Sequence, residues 1–353
     1  MRLERRHAAS RAALVLAPVG AAAFTLAVSA LLVLWAGAPV GRTYALLLQG
    51  GFGSVFAWSE TLTRAIPLIL TGLSATVAFK ARLFNIGAEG QLYAGALAAV
   101  AIGGMHGGTG FALSPWLLFP SMMLAAAAAG ALLLLGPALM KNRLGVDEVV
   151  TTLLINFIVL LAVSALLDGP MKDPAAMGWP QSVALQPDLE LGKLVDRTRI
   201  HTGLLWAVGL AVAVWALFRH TVAGFDMRAV GANARAAAFA GVPVTRTVVG
   251  VALLSGALAG LAGAIEVAGR TSYVTLDLSP GYGYTGIVIA MLAGLHPLGV
   301  VAAGVFVAGV LVGADTMSRA VGVPTYIADV IVAASLIAVL VATLLTQFRV
   351  RLR

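Results

Sequence analysis

Residues 218–246 read FRHTVAGFDMRAVGANARAAAFAGVPVTR, the longest basic, glycine- and alanine-rich interruption in a chain otherwise made of apolar runs. Four arginines and one histidine stand in it against a single acidic residue, Asp226. The stretch lies between two segments long enough to cross a bilayer, and an excess of Lys and Arg in a short loop is typical of the cytoplasmic side. We therefore predict a cytoplasmic loop over about 219–245, which sets the orientation of the spans around it.

A short helix is expected inside this loop. Ala229 to Ala240 is rich in alanine and free of proline, which favours a helix of about three turns. Gly241 and then Pro243 would end it. Such a helix between two spans is a surface that a cytosolic protein can grip, while a solvated loop that only orients the chain is the alternative.

The composition of the whole chain indicates the class of protein. Its 353 residues are 60% hydrophobic and 11% charged, with a mean hydropathy of +0.97. This predicts an all-α polytopic membrane protein, a single transmembrane domain over 1–353 without a separate globular part. The net charge of +8 is concentrated in the N-terminus, the predicted cytoplasmic loops and the C-terminus, which is the positive-inside pattern and argues against nucleic-acid binding.

We expect about ten transmembrane helices, at roughly 20 residues each. They are placed at about 12–36, 62–79, 84–104, 115–140, 148–168, 203–218, 246–268 and 281–295, with a ninth that follows His296 and Pro297 and ends at about 317, and a tenth at 325–347. An even number puts both termini in the cytoplasm. The segments between 281 and 317 are expected to be short or broken helices beside a pathway, and two five-span halves of opposite orientation would form an inverted repeat. Residues 169–202 are predicted to be an ordered external loop and a candidate docking surface.

Several polar or aromatic side chains stand inside or at the edge of the apolar runs. An unpaired charge there costs about 2.5–3.5 kcal/mol on insertion scales, so such residues usually face the interior of a helix bundle. Two interpretations stay open for them, a hydrogen-bond network that packs helices and a lining of a solute route. The tyrosines are either interfacial anchors or rings on which a flat solute stacks. The candidates for a translocation pathway are Asn85, Glu89, Gln91, Asn156, Tyr282 and Tyr284.

Other motifs are missing from the sequence. There is no GxxxxGK[ST] loop, so the chain is not expected to bind ATP in that manner. It has no cysteine, and its five histidines lack metal-ligand spacing, so we expect neither a metal site nor a cofactor in this chain. The spans hold few acids and no paired acid and base, which disfavours a membrane-embedded enzyme or an ion-coupled transporter. A transport protein of this kind needs a partner that supplies energy, and a receptor scaffold is the alternative.

Five blocks of the sequence resemble, in order, the blocks of bacterial ABC-importer permeases of the branched-chain amino acid/ribose superfamily, and above all of its nucleoside and simple-sugar branch. The likeness covers about residues 62–345. The blocks are GLSATVAFKARLFNIGAEGQLYAGA (72–96), VDEVVTTLLINFIV (146–159), GFDMRAVGANARAAAFAGV (224–242), GALAGLAGAIEVAG (256–269) and GYGYTGIVIAMLAGLHPLGVV (281–301).

This resemblance implies a type II importer fold and a non-enzymatic transport subunit in the bacterial inner membrane. It implies cytosolic ATPase subunits, a second permease chain that is identical or different, and an extracytoplasmic solute-binding protein. A nucleoside is the expected solute, and a ribose-like sugar or another small polar solute is the alternative. The block NIG-EGQ, residues 85–91, would lie near the translocation pathway.

The resemblance also gives the loop 219–245 a role as the coupling helix that docks the ATPase. The residues expected to take part are Gly224, Arg228, Gly231, Asn233, Arg235, Ala236 and Gly241.

Overall fold

The computed structural model describes residues 2–5, 11–106, 110–322, 326–327, 330, 333–334, 337–338, 341 and 348–351. Helices form most of this part of the chain. They are α1 (Arg11–Trp35), α2 (Val40–Phe52), α3 (Val55–Lys80), α4 (Ala88–Gly103), α5 (Pro115–Leu144), α6 (Glu148–Asp168), α7 (Gly203–His220), α8 (Val222–Ala232), α9 (Ala234–Phe239), α10 (Val244–Glu266), α11 (Tyr282–Leu292) and α12 (Pro297–Val321).

The predicted helical membrane architecture is confirmed, while the count of ten spans stays a prediction. Within the described residues, six helices are long and apolar enough to cross a membrane, and a seventh span results if α1 and α2, bent by 114°, count as one. The helix α6 has the predicted bounds 148–168. Of the two segments predicted to be short or broken between 281 and 317, the first is the 11-residue α11. The prediction for the second is wrong, because α12 is a continuous helix of 25 residues that is long and apolar enough to cross a membrane. The predicted span at 325–347 lies largely outside the described residues.

The third predicted span, about 84–104, begins later than expected. The helix α4 starts at Ala88, and residues 81–87 form a turn in which Arg82 has a φ of +54°. Hydrophobicity alone missed this turn because Leu83, Phe84 and Ile86 are apolar and continue the apolar run of α4 in the sequence.

The chain divides into two compact units, residues 1–61 with 306–353 and residues 62–305. In the first unit, Val33, Ala38, Met317 and Ile327 form a small apolar core. Two short strands, β1 (Arg2–Arg5) and β2 (Phe348–Arg351), pair antiparallel there and are an addition to the predicted all-helical fold.

In the second unit, α10 packs closely against both α4 and α5 through glycines. A Cβ added at Gly263 would lie 1.9 Å from the Leu92 carbonyl oxygen, and one at Gly95 would lie 2.1 Å from the carbonyl oxygen of Gly260. On α5, a Cβ at Gly130 would lie 2.2 Å from the carbonyl oxygen of Gly256. Lipid offers no hydrophobic drive between helices, so backbone contact through small residues is what holds them together.

The loop 169–202 is ordered by backbone hydrogen bonds to its neighbours in the same unit. Gln186 donates its N–H to the Gly103 carbonyl at 3.0 Å, and Leu191 donates to Ala268 at 2.8 Å. Next to α7, the ring of His201 is buried, and its Nδ1 accepts the Gly203 N–H at 3.2 Å. Burial, helped by the charge of Arg270, lowers the pKa of His201 to about 4. The imidazole is therefore neutral at physiological pH, as its acceptor role requires.

We predict that Gly263→Ala destabilises the protein, because the added methyl group meets backbone that cannot rotate away. Overpacking of this kind costs about 1–3 kcal/mol. Gly250→Ala is the matched control on the same helix, since a Cβ at Gly250 has no atom within 4 Å. Thermal unfolding of the detergent-purified variants checks this. Equal unfolding temperatures for the two variants would show that the close α4–α10 contact does not determine the stability of the protein.

Candidate functional site

Two of the predicted polar residues bind each other across the turn between α3 and α4. The Asn85 amide nitrogen donates to the Gln91 side-chain oxygen, and the Gln91 amide nitrogen donates back to Asn85, both at 2.9 Å. Asn85 also donates to the Ser255 hydroxyl of α10 at 3.1 Å and accepts the Gly87 N–H at 2.9 Å. All four hydrogen-bonding positions of the Asn85 amide are therefore used, which fixes the shape of the turn.

Asn156 of α6 holds the same turn from another side. Its side-chain oxygen accepts the Gly90 N–H at 2.9 Å, and its amide nitrogen donates to the Ile86 carbonyl at 2.8 Å. The amide nitrogen also donates to the hydroxyl of Tyr284 on α11 at 3.1 Å. One buried amide thus connects α4, α6 and α11.

Glu89 binds the N-terminus of α11. Its carboxylate accepts the Gly283 N–H at 2.6 Å, in the first turn of the helix, where backbone N–H groups lack helical partners and negative charge is favoured. Tyr93, one turn further along α4, donates its hydroxyl to the Leu276 carbonyl at 2.5 Å and accepts the Ser279 N–H at 3.2 Å. The helices α4 and α11 approach each other closely here, because a Cβ at Gly283 would lie 2.2 Å from the Glu89 backbone nitrogen.

The six pathway candidates differ in exposure. Five are at most 3% exposed, namely Asn85, Glu89, Gln91, Asn156 and Tyr282, whereas Tyr284 is 38% exposed. The contacts of the four polar residues are those of a helix-packing network, the first of the two interpretations. A role in lining the solute route remains a prediction for all six.

Lys141 and Glu148 bind the backbone at the start of the turn 81–87, a role that the sequence reasoning missed. The Lys141 ammonium lies 2.5 Å from the Glu148 carboxylate and donates to the Arg82 carbonyl at 2.8 Å. The same carboxylate accepts the Phe84 N–H at 3.2 Å. The available signal was a basic residue near the end of α5 followed, seven positions later, by an acid in the first turn of α6.

The predicted single helix from Ala229 to Ala240 is wrong, because the segment forms two helices with a break at Asn233. α8 starts earlier, at Val222, and ends at Ala232, and α9 covers Ala234–Phe239. The break arises because the Asn233 side chain accepts the N–H groups of Arg235 and Ala236, at 3.0 and 3.1 Å, and so begins a new helix. The predicted end at Gly241 is consistent with its φ of +88°.

The seven coupling candidates fall on two faces of this α8–α9 segment. Gly224 and Gly231 are buried and permit close approach within the chain: a Cβ at Gly231 would lie 1.9 Å from the Lys80 carbonyl oxygen. The remaining candidates are exposed, namely Arg228, Asn233, Arg235, Ala236 and Gly241. Phe239 is 97% exposed beside them. Sequence reasoning missed it, although a large aromatic residue in an alanine-rich helix was a visible signal.

A comparison with protein-family models matches residues 57–340 to the family described as the permease component of branched-chain amino acid transport systems. The chain belongs to this family. It is therefore a multi-pass transport subunit of the membrane and not an enzyme. Both the turn 81–87 and the α8–α9 segment lie within the matched range.

Three relatives align over most of their length. The guanosine ABC transporter permease protein NupP of Bacillus subtilis is 36% identical over 90% of this chain and 91% of its own. The glucose ABC transporter permease protein TsgB13 of Haloferax volcanii is 35% identical over 87% and 82%, respectively. The nucleoside ABC transporter permease protein NupB of Lactococcus lactis is 30% identical over 91% and 89%.

We predict that Asn85 and Gln91 are energetically coupled. Asn85→Leu or Gln91→Leu alone leaves a buried amide without its partner, which costs about 1–3 kcal/mol. The double variant removes both amides, so its loss of unfolding free energy should be at least about 1 kcal/mol smaller than the sum of the single losses. Denaturant unfolding of the four proteins in detergent measures this, and additive losses would contradict it.

Proposed function

We propose that this chain is the permease subunit of an ATP-driven importer and that its solute is a nucleoside. Two of the relatives that align over about nine-tenths of this chain are named for guanosine or nucleoside transport. The blocks by which the sequence resembles the nucleoside branch agree with this assignment. Within the chain, Asn85 and Asn156 would set the helix arrangement around the route, and the exposed ring of Tyr284 is the pathway candidate best placed to meet a solute.

The energy source in this proposal is a separate cytosolic ATPase that docks on α8–α9. The observation that supports this docking site is that one face of the segment, with Gly231, is buried against the chain, whereas the other face, with Arg235 and Phe239, is exposed. Gly231 lies directly against the Lys80 carbonyl, so a push on the exposed Arg235 and Phe239 would reach the end of α3 and the turn 81–87. Glu89 and Asn156 connect that turn to α11.

The remaining parts of the assembly follow the same proposal. A second permease chain, identical or different, would complete the membrane domain, and an extracytoplasmic solute-binding protein would deliver the solute, with the ordered loop 169–202 as its docking surface. The chain would lie in the bacterial inner membrane with the α8–α9 segment and both termini in the cytoplasm. The basic residues of the α8–α9 segment support this orientation.

A sugar is the second candidate solute, because the relative from Haloferax volcanii is named for glucose transport and is nearly as similar as the guanosine relative. Both solutes carry hydroxyl groups, and only the nucleoside adds a flat heterocycle. Transport measurements must therefore compare the two directly.

We expect that proteoliposomes containing this chain, its partner permease and ATPase, and its binding protein hydrolyse ATP faster when guanosine or uridine is added, and accumulate the labelled nucleoside. Glucose and ribose should leave the rate near its basal value. The control omits the binding protein. Stimulation by a sugar and not by a nucleoside would reverse the assignment while leaving the importer role intact.

For the docking surface, we predict that Arg235→Glu combined with Phe239→Ala lowers uptake at least about tenfold, as expected when central contacts of an interface are lost. Gly231 is unsuitable for this test because any side chain there would collide with α3. Arg143→Glu is the control, since Arg143 is also exposed but lies at the end of α5. Equal membrane abundance is verified first. Unchanged uptake and unchanged co-purification of the ATPase would remove the docking role from this surface.

A further inference from the structure

A groove lies at the N-terminal end of α5, away from the turn 81–87 and from the α8–α9 segment. It is lined by Pro115, Trp116, Phe119 and Pro120 of α5 and by Asp188 of the loop 169–202, and its volume is about 630 Å³. This is within the range of small-molecule sites, which is about 300–1,000 Å³. Trp116 is 88% exposed. An amphipathic ring at the end of a membrane helix is typical of the level of the lipid headgroups.

Asp188 is held rigidly at the edge of this groove. It lies in the 3-10 turn Pro187–Leu189, where Leu189 is 1% exposed. The preceding Gln186 is bonded to α4 through the Gly103 carbonyl. Across the part of the chain that the structure describes, the Asp188 carboxylate forms no ion pair. It is the single charged side chain of the five that line the groove, so the groove is complementary to a cation attached to an apolar molecule.

An exposed apolar stripe continues from the groove along α5. Its positions recur every four residues, so successive members are neighbours on the helix surface and the stripe winds gradually around the helix. From Trp116 to Ala128 the stripe extends about 18 Å, at 1.5 Å per residue, which is sufficient for one leaflet of a hydrocarbon core about 30 Å thick. The stripe consists of Trp116, Pro120, Leu124, Ala128 and Leu132.

We propose that this groove binds a phospholipid whose headgroup carries a primary ammonium. The ammonium donates to the Asp188 carboxylate and lies against the Trp116 ring, which favours a cation, and one acyl chain follows the stripe on α5. A second groove, on α7, is lined by Leu205, Trp206, Gly209 and Leu210. It has a tryptophan but no charged lining residue, so it should take up acyl chains without selecting a headgroup.

The test uses the full-length, delipidated chain in a neutral detergent. Native mass spectrometry measures the binding of phosphatidylethanolamine, phosphatidylcholine and phosphatidylglycerol with identical acyl chains. For the wild-type chain we expect phosphatidylethanolamine to bind roughly fivefold more tightly than phosphatidylglycerol, the size expected of one exposed ion pair with a cation–π contact. Phosphatidylcholine should lie between them, because its ammonium keeps the charge but cannot donate a hydrogen bond.

Variants separate this site from general lipid binding. Asp188→Asn should abolish the preference for phosphatidylethanolamine, and Trp116→Ala should reduce it, whereas Trp206→Ala should leave it unchanged. Both tryptophan variants remove an exposed ring from the end of a membrane helix, so they control for each other. Equal affinities of the three lipids for the wild-type chain, or an unchanged preference in Asp188→Asn, would overturn the proposal. Neither result would affect the proposed transport of nucleosides.

Discussion

The direct backbone contact of α10 with α4 and α5 is the constraint on which the second unit depends. Leu92 and Gly263 approach so closely that even one methyl group has no space between them. A soluble protein can compensate for loose packing by burying more apolar area, but lipid is as apolar as the helices and gives no such gain. The helices are therefore held together by close packing, which the glycines make possible. The position of Ser255 beside Asn85 follows from this packing, because Ser255 lies on α10, one residue before Gly256.

The buried polar groups make the arrangement specific. An unpaired amide or carboxylate among apolar helices is costly, so it is tolerated only where partners are present at the correct distance. Asn85 bonds a side chain of α10, and Asn156 and Glu89 both bond groups of α11. Sliding α4 relative to α6 or α11 by a fraction of a turn would break several of these bonds at once. The glycines therefore allow close contact, while the polar network selects one register for it.

Much of this architecture could be predicted from sequence, and the failures have physical causes. Hydrophobic length placed α6 at its observed bounds, because a membrane span depends on composition over about 20 residues. The break at Asn233 was missed although an N-capping residue stood there, since its cap competes with an alanine-rich background that favours a continuous helix. Pairings such as Glu89 with Gly283, 194 positions apart, leave no local pattern. Only the folded arrangement reveals which buried polar residues are partners.

In the proposed function, the same polar network would connect the ATPase docking surface to the solute route. A push on α8 meets the end of α3 at Gly231 and Lys80, where backbone touches backbone and no flexible side chain can absorb the movement. Lys141 and Glu148 hold the next residues of the turn, and Glu89 and Asn156 carry the connection on to α11. Packed elements of this kind switch between discrete arrangements more readily than they deform continuously. In the proposed function, the hydrogen-bonded turn 81–87 between two packed helices would transmit a movement of α8 towards Tyr284.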